Sequence, residues 1–170
     1  MSNVVILAAS TGKNVELANT LAGIVRDQGA EAEIVDVVAL DLPLYSTSAE
    51  GGGIPGAAAE MSAKLCASRA LIVVAPEYNG AMPPALTNLI AWISRSGDED
   101  WRGAFNSKIT AIATFSGGGG GFVLAAMRAQ LSFLGANVLG RQLLANYQKP
   151  LNEDSATTVV SQLLALSVTP

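Results

Sequence analysis

The sequence predicts an α/β fold, a three-layer sandwich in which a five-stranded parallel sheet of order 2-1-3-4-5 lies between helices. Two observations predict it. The apolar runs VVILAA at 4–9 and ALIVVA at 70–75 carry no polar alternation, as expected of strands buried on both faces. Between such runs lie segments with apolar residues at helical spacing, and regular alternation of the two is the pattern of a parallel sheet covered on both sides. Five units of this kind in 170 residues fit a single doubly wound domain over 1–170.

The first strand, Val4 to Ala9, is bounded by the small polar cluster Ser10 to Asn14. Leu17, Leu21, Ile24 and Val25 then mark a helix, and Gly29 stands where a helix end favours a residue tolerant of positive φ. A second strand is predicted over 32–38, followed by LDLPLYSTSAEGGGIPG at 40–56, whose Pro, Gly and Ser content predicts a surface loop. Next come a helix over 57–68, a strand over 70–75 and a helix over 83–95 with Leu86, Leu89, Ile90 and Ile93 as its apolar stripe. Pro83 and Pro84 suit the first turn of that helix, where a missing N–H costs little. GDEDWRGAFN at 97–106 reads as a connection, and a fourth strand over 109–115 leads into SGGGGG at 116–121 and a long helix to about Leu134. A short strand near 137–141 and a helix after the cap Asn152, with Val159, Val160, Leu163 and Leu164 on one face, follow. Elements in this order give the flavodoxin-like variant of the doubly wound fold.

Composition narrows the function. Half of the residues are hydrophobic and only 14% are charged, so polar cover for a monomer is thin and a homodimer or homotetramer is expected. A net charge of −4 with scattered basic residues gives no footprint for nucleic acid or for a membrane surface. Cys66 has no second cysteine to pair with, and the N-terminus has no basic leader followed by a long apolar segment, so a cytoplasmic location is expected. The absence of histidine excludes a Ser-His-Asp triad, a Cys-His pair and the common histidine-ligated zinc sites. No side chain is assigned a catalytic role and no metal site is expected.

Three stretches carry the candidate site. AASTGKN at 8–14 is not a triphosphate loop, because Leu7 stands five residues before Gly12 and Asn14 follows Lys13, and it lacks the three glycines of a dinucleotide fingerprint. It reads either as a cradle for one monophosphate at a helix N-terminus, with Ser10, Thr11, Gly12, Lys13 and Asn14 as donors, or as an ordinary strand-to-helix turn with a polar cap. APEYNGAMPPALTNLIAW at 75–92 follows the third strand, at the carboxyl end of the sheet where doubly wound folds place ligands. There Tyr78 can cover a ring, Asn79 can bond it and Gly80 lets the backbone approach a flat ligand. FSGGGGGFVLAAMRAQLSFLGA at 115–136 opens a helix with five glycines and so exposes several N–H groups. Arg128 within it is either part of that site or a solvated charge, and Trp92 and Trp101 lie either at a subunit interface or partly buried within one chain.

PEYNG at 76–80 with MPPALTN at 82–88, VDVVALDLPLY at 35–45, and the glycine-rich segment with Arg128 and LGA at 134–136 together resemble the NADPH-dependent FMN reductase family of flavodoxin-like proteins. The likeness covers nearly the whole chain in the same order. The family's first loop is usually longer and carries an arginine, whereas Ser10 to Asn14 is compact, and Ala91 stands where an acidic residue is often found. The resemblance implies an FMN-dependent oxidoreductase with the phosphate on Ser10, Thr11, Gly12, Lys13 and Asn14. It implies further that the flavin ring lies against Pro76, Glu77, Tyr78, Asn79 and Gly80 and against Ser116, Gly117 and Gly118. NADPH or NADH would be the co-substrate, passing hydride through FMN to a small acceptor such as a quinone, free flavin, azo compound or metal oxyanion. That agrees with the missing histidines, because the cofactor carries the chemistry and the protein binds and orients it. Two other readings stand beside it: a flavodoxin-type one-electron carrier, which the compact first loop favours, and a flavin-free regulatory domain of the same fold.

Overall fold

The computed structural model describes residues 3–97 and 100–167. Strand β1 (Asn3–Ala8) is followed by helix α1 (Lys13–Asp27), β2 (Glu31–Asp36), the short α2 (Thr47–Gly51), α3 (Gly56–Ala67), β3 (Ala70–Val74) and α4 (Pro84–Ile93). Then come β4 (Ile109–Phe115), α5 (Gly121–Phe133), β5 (Asn137–Val138), β6 (Leu143–Ala145) and α6 (Glu153–Ser167). The order across the sheet is β2-β1-β3-β4-β5, as predicted, and all pairs are parallel.

The uninterrupted apolar runs are explained by the two cores. Along β1, Val5 and Leu7 join a core with Met61 and Leu65 of α3, Leu86, Leu89 and Ile93 of α4, and Val123, Leu124 and Met127 of α5. Val4, Ile6 and Ala8 point the other way, onto Leu17, Leu21 and Val25 of α1 and Val159, Val160 and Leu163 of α6. Neither face meets water, so neither needs polar residues; each fully buried Leu, Ile or Val contributes about 1.5–3 kcal/mol. Among the described residues, no helix is long and apolar enough to cross a membrane.

Three expectations are corrected. The fifth position of the sheet is filled by two segments rather than one: β5 pairs with Ile109 and Thr110, and β6, outside the predicted 137–141, pairs with Ala113 to Phe115. Between them Arg128 donates from Nη2 to the carbonyls of Leu139 (2.8 Å) and Gly140 (3.3 Å) and to Gln142 Oε1 (3.2 Å). The guanidinium thus satisfies carbonyls that the break leaves without ladder partners. Arg128 is neither a free surface charge nor part of the glycine loop.

Residues 40–56 are not loop throughout, since Ser46 accepts a hydrogen bond from the Ala49 N–H and caps α2. Trp92 is fully buried within the chain, while Trp101 is half-exposed beside Phe133. Residues 98 and 99 of the predicted 97–106 connection lie outside the described residues.

Helix α4 straps the 42–50 segment down. Trp92 Nε1 donates to the Pro43 carbonyl (2.7 Å), Asn88 Nδ2 donates to the same carbonyl (3.0 Å), and the Tyr45 N–H donates to Asn88 Oδ1 (2.8 Å). Glu50 closes the strap by accepting from the Tyr45 hydroxyl and from Arg95, both at 2.8 Å. The Tyr45 hydroxyl, and next the Arg95 guanidinium, hold the Glu50 carboxyl below its ordinary value of 4.5. A carboxylate with a depressed folded value lends stability that is complete above its unfolded value and fades as pH falls through the folded one. Acid titration from pH 6 is therefore expected to leave the Glu50 contacts intact down to about 4.5 and to loosen the Tyr45 end of the strap below, while the Asn88 and Trp92 bonds persist, seen as a small change in Trp92 emission. In Glu50→Gln that emission should be independent of pH over the same range.

Candidate functional site

Loops from the carboxyl ends of β1, β3 and β4 meet at one end of the sheet, beside the point where the strand order reverses, which is where doubly wound sheets place ligands. Two long-range contacts fix them to one another. Asn14, at the start of α1, donates from Nδ2 to the Phe115 carbonyl and accepts at Oδ1 from the Phe115 N–H, both at 2.9 Å. Glu77, after β3, accepts at Oε2 from the N–H groups of Phe122 (3.0 Å) and Val123 (3.1 Å) in the first turn of α5. A carboxylate there satisfies orphan donors and complements the helix dipole.

The first loop curls at Gly12, whose φ of 66° and ψ of −127° suit only glycine. It delivers the chain into α1, whose N-terminus has no side-chain cap. Asn14 would have been the obvious cap, but its amide is engaged with Phe115. Ser10 is buried and its hydroxyl donates to the Thr11 carbonyl at 3.0 Å; Thr11 is exposed. Lys13 Nζ is exposed and paired with Glu16 at 2.7 Å, whose carboxylate holds the ammonium above its ordinary range. The ordinary side-chain-capped turn is thus not what this segment forms: the Gly12 carbonyl takes the N–H groups of Val15 and Glu16, and no side chain caps those of Lys13 and Asn14.

In the second loop Pro76 is buried and Glu77 is turned toward α5. Tyr78 and Ala81 exchange two backbone hydrogen bonds of 3.0 Å around Asn79 (φ 51°) and Gly80 (φ 72°), a tight turn of the kind that needs positive φ at both central residues. The turn presents Tyr78, Asn79 and Gly80 to solvent. In the third loop Ser116 is buried, Gly117 and Gly118 are exposed, and the Ser116 hydroxyl accepts a long bond from the Gly118 N–H (3.4 Å). A cavity of about 390 Å³ opens between Glu77, Gly118 to Gly121, Phe122 and Ala125.

Of the thirteen residues singled out in the sequence, the structure brings all three groups to one end of the sheet but gives them different work. Thr11, Gly12, Tyr78, Asn79, Gly80, Gly117 and Gly118 present backbone or side chain at the rim, whereas Asn14 and Glu77 tie loops together. Other residues here escaped the sequence reading. Gly120 caps α5 in the left-handed conformation (φ 78°), directly over Thr114, and Tyr147 stands edge-on to Phe115 at 5.1 Å and is largely exposed near Gly117. A threonine inside a strand reads as core and an isolated tyrosine in a loop reads as surface, so only the glycine run carried a signal.

The residues suit an anionic ligand with a flat, partly apolar body. A helix N-terminus without a cap attracts a phosphate, glycines admit close approach of a ring, and aromatic side chains border the cleft. The family model for NADPH-dependent FMN reductases matches residues 2–149. An NAD(P)H-dependent FMN reductase of Pseudomonas aeruginosa is 30% identical over 146 residues, 80% of this chain and 76% of that protein. A quinone reductase of Escherichia coli K12 is 32% identical over 104 residues, 59% of this chain and 53% of that protein. Among solved structures, the flavoenzyme NAD(P)H:(acceptor) oxidoreductase FerB of Paracoccus denitrificans superimposes with a TM-score of 0.76, covering 98% of this chain and 96% of that one at 18% identity, a likeness of fold.

Proposed function

Because this chain belongs to the NADPH-dependent FMN reductase family, an oxidoreductase family using FMN and a nicotinamide co-substrate, we propose that its three-loop cluster holds FMN and passes reducing equivalents to a small-molecule acceptor. FMN, once bound, would supply the hydride chemistry. Every other task belongs to the chain. The Lys13 and Asn14 N–H groups at the start of α1, reached through Gly12, hold the phosphate, with the Thr11 hydroxyl as a further donor, the Ser10 hydroxyl joining it by turning away from the Thr11 carbonyl, and Lys13 adding charge at the rim. Pro76 to Gly80 and Ser116 to Gly118 line the two sides of the ring, and the missing Cβ atoms at Gly117 and Gly118 let it lie against backbone. Asn14 and Glu77 act through the loops they join, keeping the phosphate end and the ring end in register.

The observation that carries this reading is the pair of ties, Asn14 to Phe115 and Glu77 to α5, which assembles the three loops around an uncapped helix N-terminus. Quinones are the acceptor class best supported, since a relative bears the name quinone reductase; free flavin, azo compounds and metal oxyanions are the other candidates. We assign the activity to a single domain that works in the cytoplasm as a homodimer or homotetramer, consistent with the sparse charge and the exposed Phe122 and Phe133 on α5.

An anaerobic spectrum tests the reading. Mixing protein with one equivalent of FMN is expected to shift the flavin band relative to free FMN; NADPH should then bleach it, and a quinone should restore it. A shifted band that NADPH leaves oxidised would replace the reductase by a one-electron carrier, and a band that never shifts would remove the flavin from this cleft.

A further inference from the structure

Thr114 is the penultimate residue of β4 and is wholly buried, and its Oγ1 has no hydrogen-bond partner among the described residues. The other threonine of the strand, Thr110, is satisfied by donating to the Lys108 carbonyl at 3.2 Å. Thr114 lies under the glycine loop. A Cβ built on Gly120 would stand 2.7 Å from Thr114 Cγ2 and 3.6 Å from Oγ1, so the loop backbone rests directly on this side chain. Gly119 (φ 143°) and Gly120 (φ 78°) hold conformations rarely open to other residues, and a run of glycines has neighbouring conformations within easy reach. An unpaired buried hydroxyl therefore sits beneath the backbone segment that can most readily offer it a donor.

Valine would fill the same space without leaving a polar group unpaired. A hydroxyl that costs stability in this state is explained if it gains a partner in another, and a ligand favours whichever state it binds more tightly. We propose that Thr114 is a positioning residue for FMN: on binding, the Gly117 to Gly120 loop turns so that one of its backbone N–H groups donates to Thr114 Oγ1, and this bond holds the loop against the ligand. The proposal rests on the reading that the glycine loop borders FMN, and it adds a residue that never touches the cofactor.

The test uses Thr114→Val and Thr114→Ser, with two readouts: the melting temperature of the flavin-free protein, and the Kd for FMN from quenching of flavin fluorescence. Thr114→Val is expected to melt higher than the parent without FMN yet to bind it about fivefold more weakly, the equivalent of one net hydrogen bond. Thr114→Ser, which keeps the hydroxyl and loses the methyl group under Gly120, should melt lower and bind FMN within twofold of the parent. A valine variant with unchanged Kd would overturn the proposal while leaving FMN in the cleft, as would one that melts lower, since the hydroxyl would then already be satisfied without ligand. If the parent protein itself fails to bind FMN, the assignment of the cleft falls and this inference falls with it.

Discussion

Gly120→Ala is expected to destabilise the protein by about 2–5 kcal/mol, whereas Gly118→Ala, two residues away in the same glycine run, should cost less than about 1 kcal/mol. Two causes add at Gly120. Its φ of 78° places an alanine in the left-handed region, at about 1–2 kcal/mol. The new methyl group would also stand 2.7 Å from Thr114 Cγ2 and 3.3 Å from Ser116 Cβ, an overpacking of the kind that costs about 1–3 kcal/mol, and strand β4 cannot withdraw because it is paired on both sides. At Gly118 nothing lies within 4 Å of the added atom and φ is not in the left-handed region. Urea denaturation of both variants without FMN separates the two; equal midpoints would mean that the loop is loose enough to absorb either substitution.

Asn14→Ala should be the most damaging change among the rim-loop residues that bear side chains. It removes both hydrogen bonds to Phe115 and leaves that residue's N–H and C=O partly buried without these partners, at about 2–4 kcal/mol in total. The same change separates the α1 N-terminus from the end of β4, so affinity for FMN should fall at least tenfold even at temperatures where the variant is fully folded. Asn14→Asp is no rescue, because a carboxylate would accept from the Phe115 N–H but face its carbonyl with a second acceptor. Fluorescence titration with FMN, beside a urea melt, reports both effects. A folded Asn14→Ala variant with unaltered affinity would show that the two loops hold the ligand independently.

The sheet was legible because burial on both faces erases polar alternation: Val4 to Ala8 and Ala70 to Val74 could be recognised as strands from composition alone. The split of the fifth strand was not, since three residues, Leu143 to Ala145, are too few for a period and the break is stabilised by Arg128 from a helix earlier in the chain. The convergence of the three loops was legible for a related reason. Gly-rich and Pro-rich turns stand directly after apolar runs, and topology puts those ends together. What individual residues do there was hidden. Asn14 reads locally as a cap or a ligand donor, yet its partner is 101 residues away, and Glu77 finds its partners 45 and 46 residues away in α5. Sequence spacing displays neighbours along a strand or helix, and neither contact is of that kind.

The packing of α1 on α6 has a consequence for synthesis. Leu17 and Leu21 share a core with Val159, Val160 and Leu163, and Gln28 bonds to Thr157 and Ser161. At ordinary translation rates, α1 leaves the ribosome roughly seven to thirty seconds before α6 follows it. For that interval the nascent chain displays the part of α1 and of one sheet face that α6 will cover. A stall or truncation between α1 and α6 thus produces a species that exposes apolar surface of the kind chaperones and proteases recognise, until Glu153 to Ser167 arrives to cover it.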